Sequence, residues 1–372
     1  MSAPADSSES RKTGSSWSFP LLKISGIPIR VHFTFVLFLV WIALSRGGGT
    51  SGVYWVAFVI AIFVCVLLHE LGHALVAKRF GVMTQDITLY PIGGVAMLDG
   101  RPRPRQELWI ALAGPAVNLV IALALLPIVV TKRVDIANVA ELHTPGAFLS
   151  ALCAANITLA IFNLIPAFPM DGGRVLRAAL ALNMPERRAT QLAAGFGQFL
   201  AICFGFVAVL TGNLIFFIIA AFVFLGAGQE YSMTVTRSFL EGHQVAEAMV
   251  VHFATIESGA PLATAAEMLL GGTQHDFPVV VGEEIVGILS RNDIARGLAT
   301  DGPTGFVAGF MQREFKITSP EAPLEAAYDL FARSDNSPVA VMSDEKLVGL
   351  LTQENLSEFI MLAHATSQGR GR

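Results

Sequence analysis

The feature that most limits what this chain can fold into is a succession of long apolar runs, ending near Leu225. A helix that crosses the ~30 Å hydrocarbon core of a bilayer needs roughly 20 apolar residues. Candidate spans run from Val31 to Leu44, Val53 to Ala77, Leu108 to Val130, Ala147 to Pro169, Ala193 to Leu210 and Leu214 to Leu225. Six spans are expected, give or take one. The first and last are short, and Gly212-Asn213 is either a tight turn or a kink in one bent helix. Of the 372 residues 53% are hydrophobic, far above soluble usage, so the chain belongs in a membrane. A net charge of -4 gives no basic footprint, which removes nucleic acid as a partner. Cys65, Cys153 and Cys203 sit singly in apolar runs and read as small core residues.

Residues 1–20 are polar and Ser-rich, without an apolar stretch before Val31, and read as a disordered cytosolic tail rather than a cleaved signal. Arg11, Lys12, Lys23 and Arg30 precede the first span, and Lys78, Arg79, Arg101, Arg103 and Arg105 separate the second from the third. Arg174, Arg177, Arg187 and Arg188 lie between the fourth and fifth, while Lys132 and Arg133 run against the pattern. Positive charge gathers on the cytoplasmic side. The expectation is a cell-membrane protein, multi-pass, with both termini cytoplasmic. Between the second and third spans, Thr84 to Asp99 alternates in polarity and is broken by Pro91 and Gly93-Gly94. It reads as a β-hairpin or re-entrant loop, with which Leu21 to Val31 can pair. Non-helical backbone at membrane depth persists only where protein buries it or where it lines a wet cavity, so this hairpin suggests a substrate channel.

Residues 21–228 are therefore assigned to the membrane domain and 229–244 to a linker, after which charges return and apolar runs shrink to strand length. A repeat of about sixty residues follows. Val245 to Met249 aligns with Val307 to Met311, Pro278 to Val281 with Pro338 to Val341, and Gly287 to Ser290 with Gly349 to Thr352. Each copy reads as a helix, two short strands and a closing helix, over 245–300 and 301–363, with 364–372 a disordered tail. Neither copy buries a closed core alone, so the two are expected to pack together.

Chemistry concentrates at His69-Glu70-Leu71-Gly72-His73. In a helix the two histidines fall on one face and converge on one ion, with Glu70 turned aside to polarise a water. Zinc suits imidazole, tolerates an open fourth position and lowers the pKa of its water to about 7. Such motifs also arise by chance. Here, however, the surroundings are almost wholly apolar, and burying two His and a Glu in a bilayer costs a few kcal/mol unless they are paired or functional. The best third ligand is Asp171, which follows Pro166 and Pro169 at the cytoplasmic end of the fourth span, at the depth of the motif; the alternative is an Asp that only caps the next helix. Asn118 and Asn163, uncharged polar residues in apolar spans, are either substrate contacts or interhelical ties. Gly93 and Gly94 join them as candidate substrate contacts.

These segments together resemble the site-2 protease family of intramembrane metalloproteases, in the branch with a C-terminal pair of cystathionine-β-synthase-type (CBS) domains. The resemblance rests on HELGH at His69–His73, YPIGG at Tyr90–Gly94, AGPAVN at Ala113–Asn118 and NLIPAFPMDGG ending at Gly173. It implies an α-helical polytopic membrane domain with a membrane-associated β-hairpin, followed by an α+β tandem CBS (Bateman-type) domain. It further implies one Zn2+ on His69, His73 and Asp171, Glu70 as general base, and hydrolysis of a peptide bond in or near a transmembrane segment of a membrane-protein substrate. A regulatory or inhibitory membrane partner and a homodimer through the CBS domains are further expectations. The CBS pair implies ATP or another adenine nucleotide, with Ser290 and Thr352 at phosphate and Asp293 at ribose. Asn355 replaces the second Asp, so one competent site at most is expected. The rivals are a transporter or channel with a regulatory CBS pair, and an inactive zinc-binding relative.

Overall fold

The computed structural model describes residues 17–45, 49–132, 144–332 and 337–369. The chain divides into two compact units, Met1–Thr234 and Val235–Arg372.

The first unit opens with β1 (Ser18–Ile24) and β2 (Ile27–His32), joined by Ser25 and Gly26, both at positive φ as a two-residue hairpin turn requires. Two helices follow, α1 (Phe33–Ser45) and α2 (Gly49–Arg79), then the hairpin of β3 (Met83–Tyr90) and β4 (Gly93–Asp99). The four strands form one sheet in the order β1-β2-β3-β4. Strand β2 pairs parallel with β3, setting Ile29 opposite Ile87, so the expected pairing of the N-terminal stretch with the hairpin is formed. Ile27 and Ile87 bury against Leu71 and Ala74, which seats the sheet on the motif-bearing part of α2.

The remaining helices are α3 (Pro104–Lys132), α4 (Pro145–Asn163), α5 (Asp171–Ala181), α6 (Glu186–Thr211) and α7 (Leu214–Leu240). Among the described residues, five helices are long and apolar enough to cross a membrane: α2, α3, α4, α6 and α7. Helix α1 has 13 residues, roughly 20 Å at 1.5 Å per residue, and falls short of the hydrocarbon thickness. Gly212 closes α6 in the left-handed region, and Asn213 accepts a hydrogen bond from the amide of Ile215, so the break there is a turn between two helices. Helix α7 runs on to Leu240, so most of the stretch 229–244 assigned to a linker is helix.

The second unit contains the repeat. One sheet is ordered β5 (Ile256–Glu257), β6 (Asp276–Val281), β7 (Glu284–Ser290), the other β10 (Lys346–Leu351), β9 (Val339–Ser343), β8 (Lys316–Thr318). Helices α8 (Leu262–Gly271) and α9 (Arg291–Thr300) accompany the first, α10 (Leu324–Ala332) and α11 (Gln353–Gly369) the second. The copies exchange their opening turns. Val245 is buried with Leu324, Val339 and Leu351 of the second copy, and Val307 with Leu262, Phe277 and Leu289 of the first. Equivalent backbone bridges, Val250 with Leu350 and Gln312 with Ile288, stitch the copies together. This exchange is why neither copy closes a core by itself.

Candidate metal centre

Helix α2 presents His69 and His73 four residues apart, on one face, both buried. Asp171 is the first residue of α5, reached through the irregular segment Leu164–Met170 that the prolines keep out of helix. The three side chains meet. His69 Nε2, His73 Nε2 and Asp171 Oδ2 are mutually 3.1 Å apart.

The protonation of this triangle is set from behind. The amide nitrogen of Asn156 donates to the Leu152 carbonyl at 2.8 Å, which turns its oxygen toward Asn118. Asn118 Nδ2 donates to that oxygen at 2.9 Å, which in turn directs Asn118 Oδ1 to His69 Nδ1 at 2.5 Å. His73 Nδ1 faces the Ile110 carbonyl at 2.6 Å. Both Nδ1 atoms must therefore carry the proton, leaving both Nε2 lone pairs aimed inward beside a carboxylate. Three acceptors with no proton between them repel unless a cation lies among them. Tetrahedral ligands about 2.0 Å from zinc stand roughly 3.3 Å apart, so the 3.1 Å triangle fits that ion. Asn118, expected as either a substrate contact or an interhelical tie, has both ends of its amide engaged by His69 and Asn156, which ties α2, α3 and α4, and it also borders the cavity at the triangle.

Close backbone approaches explain the surrounding small residues. A Cβ on Gly114 of α3 would lie 2.6 Å from His69 Nε2 and closer still to His73. One on Gly94 would lie 2.7 Å from Glu70 Cγ, and one on Gly173 2.6 Å from the Phe168 amide nitrogen. A cavity of about 640 Å³ opens at the triangle. Glu70, Asn163, Gly93 and Gly94 border it with the three ligand residues, as do Val95, Ala96 and Leu98 of β4. The hairpin therefore lines the cavity that opens at the triangle.

Sequence reasoning missed Gly114, Asn156 and the ion pairs of α5. Arg177, counted above as a charge marking the cytoplasmic side, is buried and bonded to Glu107 of α3 and Glu230 of α7. Its guanidinium also lies over the Phe168 ring, 5.3 Å from the centroid. A pattern of i, i+3 arginines at Arg174 and Arg177, with apolar Val175 and Leu176 between them, was the available signal.

In the second unit, Ser290, Asp293 and Thr352 border one cavity of about 490 Å³ with His275, Asp276, Arg296 and Glu354. Asp293 Oδ2 accepts from Ser290 Oγ at 2.6 Å and Gln312 Nε2 at 3.0 Å, and Oδ1 from Arg296 at 2.5 Å. Thr352 Oγ1 donates to Asn355 Oδ1 at 2.5 Å, so the second copy keeps the same turn with a neutral residue. Burial pushes the Asp276 carboxyl up from its ordinary value, against the pull of His275 and Arg291.

Two imidazoles and a carboxylate converging among membrane helices, with a second carboxylate standing clear of them in the same cavity, define a membrane-embedded metallohydrolase. Comparison with known proteins agrees. The profile of peptidase family M50 matches residues 57–134 and 126–204, and the CBS domain profile matches 245–300 and 307–362. Zinc metalloprotease MJ0392 of Methanocaldococcus jannaschii is 32% identical over 340 residues, covering 91% of this chain and 95% of that protein. Rip3 of Mycobacterium tuberculosis is 27% identical, covering 92% and 93%. The solved site-2 protease from Methanocaldococcus jannaschii is 42% identical, covers 58% of this chain and 95% of its own, and superposes with a TM-score of 0.44. The chain belongs to the site-2 protease family, peptidase family M50, as a multi-pass zinc metalloprotease with a C-terminal CBS pair.

Proposed function

We propose that the protein hydrolyses a peptide bond in or near a transmembrane segment of a membrane-protein substrate, with His69, His73 and Asp171 holding zinc and Glu70 as general base. The observation that carries this is the shared cavity: the ligand triangle, Glu70 and strand β4 all border one space. Zinc supplies Lewis acidity, polarising a carbonyl and making hydroxide available near neutral pH. Glu70 takes a proton from the attacking water and passes it to the leaving amine. Strand β4 pairs only with β3 among the described strands, so its other edge is open to an unwound substrate segment held as an added strand. Gly93, Gly94 and Asn163 border that path.

A cell-membrane setting with both termini cytoplasmic is supported by the Lys and Arg distribution and by the sheet. Strand β2 precedes α1, β3 follows α2, and the two strands are hydrogen-bonded, so α1 and α2 begin and end on one side. Modulation by the CBS pair is supported by α7, which gives Glu230 to the ion pairs of α5 and Leu240 to the core of the second repeat. Adenine nucleotide is the assigned effector, with Ser290 and Asp293 as the competent half and Thr352 beside them. A homodimer through the CBS domains and an inhibitory membrane partner remain parts of this reading.

The test is membrane proteomics on cells carrying the wild-type chain or Glu70→Gln. The variant retains zinc, and one or more membrane proteins accumulate uncut. Equal cleavage in both strains would remove Glu70 from the mechanism.

A further inference from the structure

Hydrolysis turns a neutral amide into two charged ends. Water oxygen bonds to the carbonyl carbon, the C–N bond breaks, the amine leaves with a proton, and the acid ionises to a carboxylate. Creating that anion in an apolar cavity is unfavourable without positive charge beside it; the zinc that the triangle would hold is one source, and a cationic side chain is a second. Among the described residues bordering the cavity, Arg174 alone is a Lys or Arg.

Arg174 stands three residues after Asp171 on α5, so it shares that ligand's helix face. Its side chain is half-buried. Its Nε lies 3.8 Å from Glu107 Oε1, an oxygen that already accepts from Arg177. Its terminal guanidinium nitrogens make no hydrogen bond to any described residue, whereas those of neighbouring Arg177 hold Glu107 and Glu230. Arg174 and Glu70 border the same cavity. A planar fork that borders the cavity, with terminal donors engaged by no described residue, is suited to hold a carboxylate in two parallel hydrogen bonds.

Resting on the hydrolase reading, we propose that Arg174 is the anion-holding residue of the cavity and receives the C-terminal carboxylate that cleavage creates on the substrate.

Binding without turnover tests this apart from the proteolytic reading. The probes are one N-acetylated apolar tetrapeptide with a free C-terminal carboxylate and the same peptide ending in an amide. They are titrated against the full chain carrying Glu70→Gln, zinc-loaded in detergent, and again after zinc is removed. The carboxylate form binds more tightly by about tenfold or more, the scale of a charge-assisted hydrogen bond. Adding Arg174→Gln collapses that preference toward unity in the zinc-free protein, where no metal ion attracts the carboxylate, and reduces it in the zinc-loaded protein at unchanged zinc content. Arg174→Lys, which keeps the charge and loses the fork, leaves an intermediate preference and serves should the Gln variant misfold. Equal binding of the two peptides to the parent, or a preference that both Arg174 variants leave intact, overturns the proposal. Failure of the proteolytic reading shows instead as a zinc-loaded wild type that cleaves nothing.

Discussion

The metal centre and the CBS cleft are both built from buried polar groups, yet they are satisfied in opposite ways. At the metal centre the hydrogen bonds come from behind, through Asn118 and the Ile110 carbonyl, and leave three acceptors facing one another. In the cleft, Asp293 takes hydrogen bonds from Ser290, Gln312 and Arg296, all from within the unit. The first arrangement is complete only with a cation. The second is satisfied as it stands, so a nucleotide reaching the Asp293 carboxylate would compete with Arg296 and Gln312 for it. Preorganisation in one region is set against self-satisfaction in the other, and substitutions that invert either property separate them.

The largest effect belongs to Gly114→Ala. Its Cβ overlaps both ligating nitrogens, and the approach is fixed by tight packing of α3 on α2, where a Cβ on Gly72 would meet the Ala113 carbonyl oxygen at 3.0 Å. Neither helix has room to retreat. Zinc affinity falls by about 100-fold or more, beyond the range usual for outer partners of a metal ligand, and proteolysis is lost with it. Metal analysis of the purified variant against a graded chelator measures this; full zinc occupancy would show that α2 and α3 are free to part.

Asn118→Leu comes next. It keeps approximate volume and removes the acceptor that fixes the His69 tautomer, so zinc affinity drops by about 10- to 100-fold. Asn156→Leu acts one bond further out and costs less. If the two substitutions weaken zinc equally, the ordering of the relay from Leu152 to His69 is wrong.

The ligands were legible because their spacing carries the chemistry: His69 and His73 share a helix face in any context, and the motif-and-depth argument led to Asp171. The repeat was legible through its recurring turn residues. The outer partners were not, because which amide faces which histidine depends on the rotation of α3 and α4, and an Asn in an apolar run looks the same in every register. The partners of Arg177 were hidden for a related reason. A cation at the end of a span satisfies a topology rule whether it faces water or, as here, two buried glutamates. The length of α7 was hidden because Gln229, Glu230 and Arg237 lower the hydropathy while the helix continues beneath them. Gly114 needs only the absence of a side chain, which a sequence records without stating the reason.

On the cleft side, Asp293→Ala strands the donors of Ser290 and Gln312 and removes a capping box from α9. A loss of about 1–2 kcal/mol is expected in the second unit, read as faster hydrogen exchange over α9 in the full chain, with the metal centre unaffected. The matching change in the other copy, Asn355→Ala, costs less, since the bond it removes is between neutral groups. Equal losses would mean that the charge on Asp293 adds nothing to its own repeat.

The smallest effect is a pH dependence, and its sign follows from burial. The Asp276 carboxyl lies above its ordinary value because the folded unit desolvates it, so folding favours the protonated form. That contribution is full below the unfolded pKa and is lost as pH rises through the folded value, so the second unit loses stability from about pH 4 upward, by well under the cost of removing Asp293. A polyanionic ligand in the same cleft follows the same direction, because each ionised Asp276 adds a like charge beside the phosphates. Asp276→Asn flattens both dependences while leaving zinc binding unchanged. Calorimetric titration of the full chain with ATP across the acidic range measures this: an affinity that rises with pH in the wild type would overturn the sign assigned to Asp276.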